Sequence, residues 1–326
     1  MKSDTKKRIL EIIKKREQVT VNYLVDFLGF SRQIIHRHVA DLVKDGLIKK
    51  DGTPPKVFYS INLTKTVDEK ADLTKEQSKI ISENFFLITP TGQRKEGVEA
   101  FIDWSNSRNF DPKQKAKEYV DVYNKYKKYL KNDLISGMYK MRDTFDKVFL
   151  NEVYYLDFYS IEVYGKTKLG QMMLYAKQSQ DKKLIRELVD EIKPKIEQLI
   201  NDKKIDAVGF IPPSIKRSVQ FIKEIEKGLN LPLSKIDLVK VSGEVIVAQK
   251  TLNKLSDRIE NSRQIKLVIG REVKKYKNIL LIDDALGSGA TLNEVARQIK
   301  MQIKPEKVIG LAITGSFSGF EVISEV

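Results

Sequence analysis

An unbroken apolar run, Asn278-Ile279-Leu280-Leu281-Ile282, leads straight into Asp283-Asp284-Ala285-Leu286-Gly287-Ser288-Gly289-Ala290-Thr291 and then into a helical pattern from Leu292 to Lys300. A run of this kind, rich in branched residues and without polar alternation, reads as a parallel strand buried on both faces. Followed at once by a small-residue loop and an amphipathic helix, it restricts the fold to an open α/β sheet. The loop offers free backbone N–H groups and the positive end of the helix dipole to a phosphate. The two carboxylates just before it can accept hydrogen bonds from neighbouring hydroxyls of a ribose. The expected ligand is a 5-phosphorylated sugar, with its phosphate in the loop and its diol on Asp283 and Asp284.

Two commoner phosphate motifs fit less well. A dinucleotide fingerprint needs a third glycine and an acidic residue about 20 positions later, whereas here the acids come first. A P-loop closes on Gly-Lys-Ser/Thr, and no lysine lies in this loop.

The 326 residues suffice for about two domains. There is no cysteine, which excludes disulfides, zinc–thiolate sites and cysteine nucleophiles. No apolar run approaches the length of a membrane span, and Met1-Lys2-Ser3-Asp4 begins no signal-peptide core, so a cytoplasmic protein is expected, with no membrane partner. The net charge is +15. Lysine and arginine number 14 against 7 acids in residues 1–65, 24 against 22 in 66–200, and 21 against 15 in 201–326. The excess lies at the two ends, which suits nucleic acid at one and a phosphorylated ligand at the other.

Residues 4–16 form a short amphipathic pattern, and Thr20 opens a second one that stops at Gly29. Ser31 then reads as the N-cap of a third helix, residues 32–43, after the tight turn of a helix-turn-helix. Beyond Gly46, residues 47–50 and 56–61 flank Asp51-Gly52-Thr53-Pro54-Pro55, as in a hairpin. Three helices and a basic hairpin resemble a winged-helix DNA-binding domain. The resemblance implies that the third helix enters the major groove of double-stranded DNA, with Arg32, Gln33, His36 and Arg37 at base edges. It places Lys49, Lys50 and Lys56 of the wing on phosphates. His36 and His38, the chain's only histidines, are two apart and do not face each other, so both are expected as polar surface residues rather than a metal pair. Winged helices commonly read two half-sites, which extends the expected partners to a second copy of the chain.

The acidic pair and its loop resemble the type I phosphoribosyltransferases, whose 5-phosphoribosyl-1-pyrophosphate (PRPP) motif has this form. The resemblance implies Asp283 and Asp284 as the catalytic, ribose-holding pair and Gly287, Ser288, Gly289, Ala290 and Thr291 as the 5′-phosphate loop; Gly287 stands where the family often has Thr or Ser. The expected fold is α/β, a parallel sheet flanked by helices, preceded by a winged helix and a helical middle segment. Upstream, a second buried-strand signal at residues 205–211 runs into Pro212-Pro213-Ser214-Ile215-Lys216-Arg217. The family's corresponding loop holds pyrophosphate, which assigns Ser214, Lys216 and Arg217. Gln249, Leu252, Arg258 and Asn261 then precede a strand at 265–269, an order most like the competence protein F branch, though without its cysteine-rich zinc segment. Lys250 and Arg258 are expected on a mobile loop that closes over the site. Mg²⁺ is expected to arrive through PRPP, with no direct protein ligand.

These readings divide the chain into residues 1–65, a DNA-binding domain; 66–150, a helical segment whose Tyr119, Tyr123, Tyr126 and Tyr129 share a face; and 151–326, the transferase-like domain. A last strand at 307–314 and the tail 319–326 are expected to complete the sheet. The functional expectation is a DNA-binding regulator that senses PRPP or a nucleotide. An active phosphoribosyltransferase remains the alternative, and a competence-related or defence DNA-handling protein a weaker one.

Overall fold

The chain divides into two units, Met1–Asp72 and Leu73–Val326. The computed structural model describes residues 2–16, 18–62, 73–215, 217–241, 243–268 and 275–316.

In the first unit, α1 (Lys2–Arg16) and β1 (Gln18–Val19) precede α2 (Val21–Leu28), α3 (Arg32–Lys44), β2 (Ile48–Thr53) and β3 (Lys56–Ile61). Local chemistry sets the helix ends. The Thr20 hydroxyl accepts the Tyr23 N–H at 3.2 Å at the start of α2, and Gly29, at φ +70°, ends it in the left-handed region that glycine tolerates. The strands pair antiparallel in the order β1-β3-β2, with β2 running on to Thr53 so that Pro54 and Pro55 alone form the tip. Ile9, Ile13, Leu24, Ile35, Leu42 and Ile48 make the core. Each contributes roughly 1.5–3 kcal/mol by burial.

The second unit opens with α4 (Lys75–Asn84), the β4–β5 hairpin (Phe86–Ile88, Arg94–Glu96), α5 (Gly97–Asn106) and α6 (Pro112–Lys127). Next come β6 (Leu130–Lys131), β7 (Leu134–Ser136), α7 (Met138–Thr144), β8 (Glu152–Phe158), the β9–β10 hairpin (Ser160–Ile161, Gly165–Lys166), α8 (Lys168–Ser179) and α9 (Lys182–Lys203). β11 (Ala207–Phe210), α10 (Phe221–Leu229), β12 (Ser234–Ile236), β13 (Leu238–Lys240), α11 (Leu255–Ser262), β14 (Ile265–Leu267), β15 (Asn278–Leu286), α12 (Ala290–Gln302) and β16 (Lys307–Gly315) follow.

Seven strands form one sheet in the order β12-β11-β15-β16-β8-β7-β6. The first five are parallel, and β7 and β6 extend the sheet as an antiparallel hairpin. β15 lies between β11 and β16, and Ile279, Leu280, Leu281 and Ile282 are fully buried. Helices cover both faces, which is why this strand is apolar without alternation. The sheet's carboxyl edge is where such folds bind ligands.

Two sequence expectations shift. Residues 73–150 belong to the second unit: β6 and β7 join its sheet, and Phe101, Trp104 and Tyr119 share a core with Tyr155, Leu281 and Leu292. β16 lies inside the sheet, between β15 and β8, and residues 319–326 lie outside the described residues. β14, the strand expected near 265–269, pairs with β13 in a two-stranded ribbon separate from the main sheet.

Candidate functional site

β15 continues past its apolar run and carries Asp283 and Asp284 to the sheet's carboxyl edge. There they border a cleft of about 410 Å³ that Ser214, Arg217, Lys240, Ser288 and Thr291 also line. The Asp284 carboxylate accepts a hydrogen bond from Lys177 Nζ of α8 at 2.7 Å. Asp283 Oδ1 accepts the Asp284 N–H at 2.8 Å. Burial, then the neighbouring Asp284 charge, holds the Asp283 carboxyl well above the usual carboxylate range, against the pull of the Asp284 N–H and Lys177.

The loop from Gly287 turns into α12 at Gly289, which sits at φ +79° as the helix N-cap. A Cβ there would overlap the Met141 sulfur of α7, so the loop rests directly on that helix. The Ser288 hydroxyl accepts the Ala290 N–H at 3.3 Å. The first turn of α12 leaves backbone N–H groups facing the cleft's end of the helix, as any helix N-terminus does. Thr291 Oγ1 lies 3.3 Å from Ser262 Oγ and accepts from Gln249 Nε2 at 3.4 Å. The five loop residues of the sequence expectation therefore come together beside the acidic pair.

Of the pyrophosphate candidates, Ser214 and Arg217 line the same cleft, and Lys216 lies outside the described residues. An Arg217 guanidinium N–H donates to the Lys177 backbone carbonyl. The candidate mobile loop takes a different form. Residues 249–251 make a 3₁₀ turn, of which the Lys250 side chain lies outside the description, and Arg258 sits on α11 with 5% exposure. Its Nε donates to the Leu252 carbonyl at 2.6 Å, and Gln249 Nε2 donates to the Arg258 carbonyl at 2.9 Å. Arg258 is a buried brace of this segment rather than a cation on an open flap.

Three lysines at or beside the cleft escape sequence reading. Lys177 meets Asp284, and Lys240 Nζ donates to Asn261 Oδ1 at 2.7 Å, its pKa lowered by burial. Lys140 of α7 donates to the Ser316 carbonyl at 3.1 Å; burial, then the Arg258 charge, lowers its pKa to about 8. The one available signal is a lysine set within an apolar helical pattern, as Lys177 is among Met172, Met173 and Ala176.

In the first unit, Arg32, Gln33, His36 and Arg37 are all exposed on α3, while Ile35, Val39 and Leu42 face the core. Lys49, Lys50 and Lys56 are exposed on β2 and β3, with Lys49 3.5 Å from Asp51. His38 departs from expectation: it is buried, because position 38 follows Ile35 by three and precedes Leu42 by four on the same helical face.

Residues 3–55 match the MarR family, and residues 183–314 match the phosphoribosyl transferase domain. The chain thus carries an N-terminal MarR-type winged-helix domain and a C-terminal phosphoribosyltransferase domain. Among solved structures, a hypoxanthine phosphoribosyltransferase from Staphylococcus aureus aligns at 19% identity over 39% of this chain and 61% of its own length, with a TM-score of 0.23. Comparison with curated proteins gave no match. Among the described residues, no helix is long and apolar enough to cross a membrane.

Proposed function

We propose that this protein is a DNA-binding regulator whose C-terminal unit binds PRPP, or a related nucleotide, together with Mg²⁺. The observation that carries this reading is the union of two modules in one chain: an exposed Arg32, Gln33, His36 and Arg37 face on a MarR-type domain, and a carboxylate pair beside an amide-rich loop in a phosphoribosyltransferase domain. Asp283 and Asp284 accept the ribose hydroxyls, displacing Lys177 from Asp284, and residues 287–291 hold the 5′-phosphate. Ser214 and Arg217 face the pyrophosphate. Mg²⁺ would enter as part of the ligand and would help to neutralise its phosphate charge beside Asp283 and Asp284. DNA is read by α3 and contacted by the wing, with two copies of the chain on two half-sites in the cytoplasm.

A second reading, a working phosphoribosyltransferase, is favoured by Arg217 lining the same cleft as the acidic pair, which supports both ends of the donor. In that case the C1–pyrophosphate bond breaks through an oxocarbenium-like state while the cleft neutralises the leaving group. The DNA-handling alternative rests on the order of Gln249, Arg258 and Asn261 ahead of the Asp-Asp loop, the resemblance to the competence protein F branch.

DNA affinity measured with and without Mg-PRPP, beside an assay of base-dependent pyrophosphate release, separates these readings. A PRPP-dependent change in DNA affinity without turnover supports the regulator. Turnover with unchanged DNA affinity replaces it with the enzyme.

A further inference from the structure

A second cavity, of about 250 Å³, opens at the carboxyl end of β8, two strands from β15 in the sheet. None of its lining residues is shared with the acidic cleft. Its walls are aromatic: Tyr119, Tyr123 and Tyr126 from α6, Phe158 from β8, and Tyr164 from the turn before β10. These rings hold one another in place. Tyr119 and Tyr164 meet edge to face at 5.0 Å between centroids, and Tyr126 and Phe158 at 4.8 Å. The Tyr164 hydroxyl donates to the Lys115 carbonyl at 3.1 Å.

Asp157, the penultimate residue of β8, brings a carboxyl group into this aromatic wall. Its Oδ1 accepts the Phe158 N–H at 2.7 Å, which leaves further acceptor capacity on the carboxylate. Burial raises its pKa to about 6, against hydrogen bonds from the Phe158 N–H and the Thr167 side chain and, more weakly, the Lys195 charge. A desolvated carboxylate of this kind gains most from added N–H donors. Lys127, Lys166, Lys168 and Lys195 also line the cavity, against Asp133 and Asp157. Lys168 is committed to Glu191 at 2.8 Å. The balance favours an anion at the rim.

We propose that this pocket binds a mononucleotide, with the base between the tyrosines, its N–H donors on Asp157, and its phosphate toward Lys166 and Lys195. The volume admits one heteroaromatic ring system and leaves a charged group outside. Aromatic faces stack any base at about 1–3 kcal/mol each. A carboxylate selects a base edge that carries two parallel N–H donors, as guanine does, over one that carries an acceptor. The site is separate from the PRPP cleft and does not rest on the reading given to that cleft.

Trp104, the sole tryptophan, packs on Tyr164 at 5.6 Å and provides a fluorescence reporter. Titration of the full-length protein with GMP and AMP, by tryptophan fluorescence and calorimetry, tests the proposal. Saturable GMP binding is expected, at least tenfold tighter than AMP. It should persist in Asp283→Asn/Asp284→Asn, fall tenfold or more in Asp157→Asn, and fall several-fold in Lys195→Ala. Loss in the double variant with retention in Asp157→Asn would place the nucleotide in the acidic cleft and overturn the proposal. So would an absence of binding of either nucleotide to the folded wild type at millimolar concentration. Should Asp157→Asn fail to fold by circular dichroism, Lys195→Ala carries the test, and unchanged GMP affinity there overturns the proposal.

Discussion

The α3 face and the acidic cleft both gather cationic side chains, yet they hold their charges in opposite ways. On α3 the side chains of Arg32, Gln33, His36 and Arg37 stand exposed, without an ion pair or side-chain hydrogen bond among the described residues. In the cleft nearly every charge is already engaged: Lys177 with Asp284, Arg217 with the Lys177 carbonyl, Lys240 with Asn261 and Arg258 with the Leu252 carbonyl. A surface that awaits a partner keeps its groups solvated and bears little on stability. A cleft that must exclude water satisfies its groups internally, and a ligand has to replace those bonds. Substitutions on α3 should therefore change binding alone, and those in the cleft should change binding and stability together.

The largest effect is expected from Asp283→Asn/Asp284→Asn. Hydrogen bonds to a charged group contribute about 1.5–3 kcal/mol each, so losing two diol contacts weakens Mg-PRPP by at least about 100-fold in calorimetry. The same change removes two carboxylates that repel one another in a half-buried site, so the melting temperature should rise. The pH profile carries the same sign. Because the folded pKa of Asp283 is raised, the native chain binds more protons than the unfolded chain between the ordinary value, 3.8, and the folded one. Stability contributed by this group falls as pH rises through that window, and the variant loses the slope. PRPP affinity runs the other way and rises as Asp283 deprotonates. A double variant that binds PRPP as the wild type does would break the contrast between the two regions.

Gly289→Ala comes next. A side chain at φ +79° costs about 1–2 kcal/mol, and its Cβ also has to displace Met141. Thermal unfolding should shift down by several degrees, with roughly tenfold weaker PRPP binding as the loop amides move. Arg32→Ala and Arg37→Ala sharpen the comparison from the other side. Each should weaken operator binding by roughly tenfold, if it reads a base edge, with no change in melting temperature. A lowered melting temperature would show that α3 is not the free surface its exposure implies.

Legibility in the sequence divides along the same line. The Thr20 cap, the Gly29 stop, the exposed α3 face and the Asp-Asp loop are all contiguous, and local spacing suffices to read them. The Lys177–Asp284 bond joins residues 107 positions apart, and no periodicity links them. Met141 beneath Gly289 is hidden for the same reason. The tyrosine series from 119 to 129 read as one helical face, but α6 ends at Lys127 and Tyr129 lies beyond it, half exposed. Residues 130–136 are too short and polar to announce strands, and only pairing with β8 makes them part of the sheet. Arg258 looks like a loop cation because charge is legible and burial is not.

The smallest expected effect lies on the wing, where the contrast narrows to neighbouring lysines. Lys49, Lys50 and Lys56 are all exposed, but Lys49 Nζ sits 3.5 Å from Asp51, two residues along the same face of β2. An exposed pair of this kind is worth about 0–1 kcal/mol, which Lys49 has to give up to meet a phosphate. Lys50 and Lys56 pay no such penalty. In DNA titrations over a salt series, Lys50→Ala and Lys56→Ala should each lower the slope of log affinity against log salt by about one. Lys49→Ala should lower it by less and weaken binding only about twofold. Asp51→Ala should restore Lys49 to parity with its neighbours by tightening DNA binding, because it frees a wing cation that is already paired. An equal response from all three lysines would mean that the Asp51 contact breaks without cost in solution, and the distinction between engaged and waiting charges would then belong to the cleft alone.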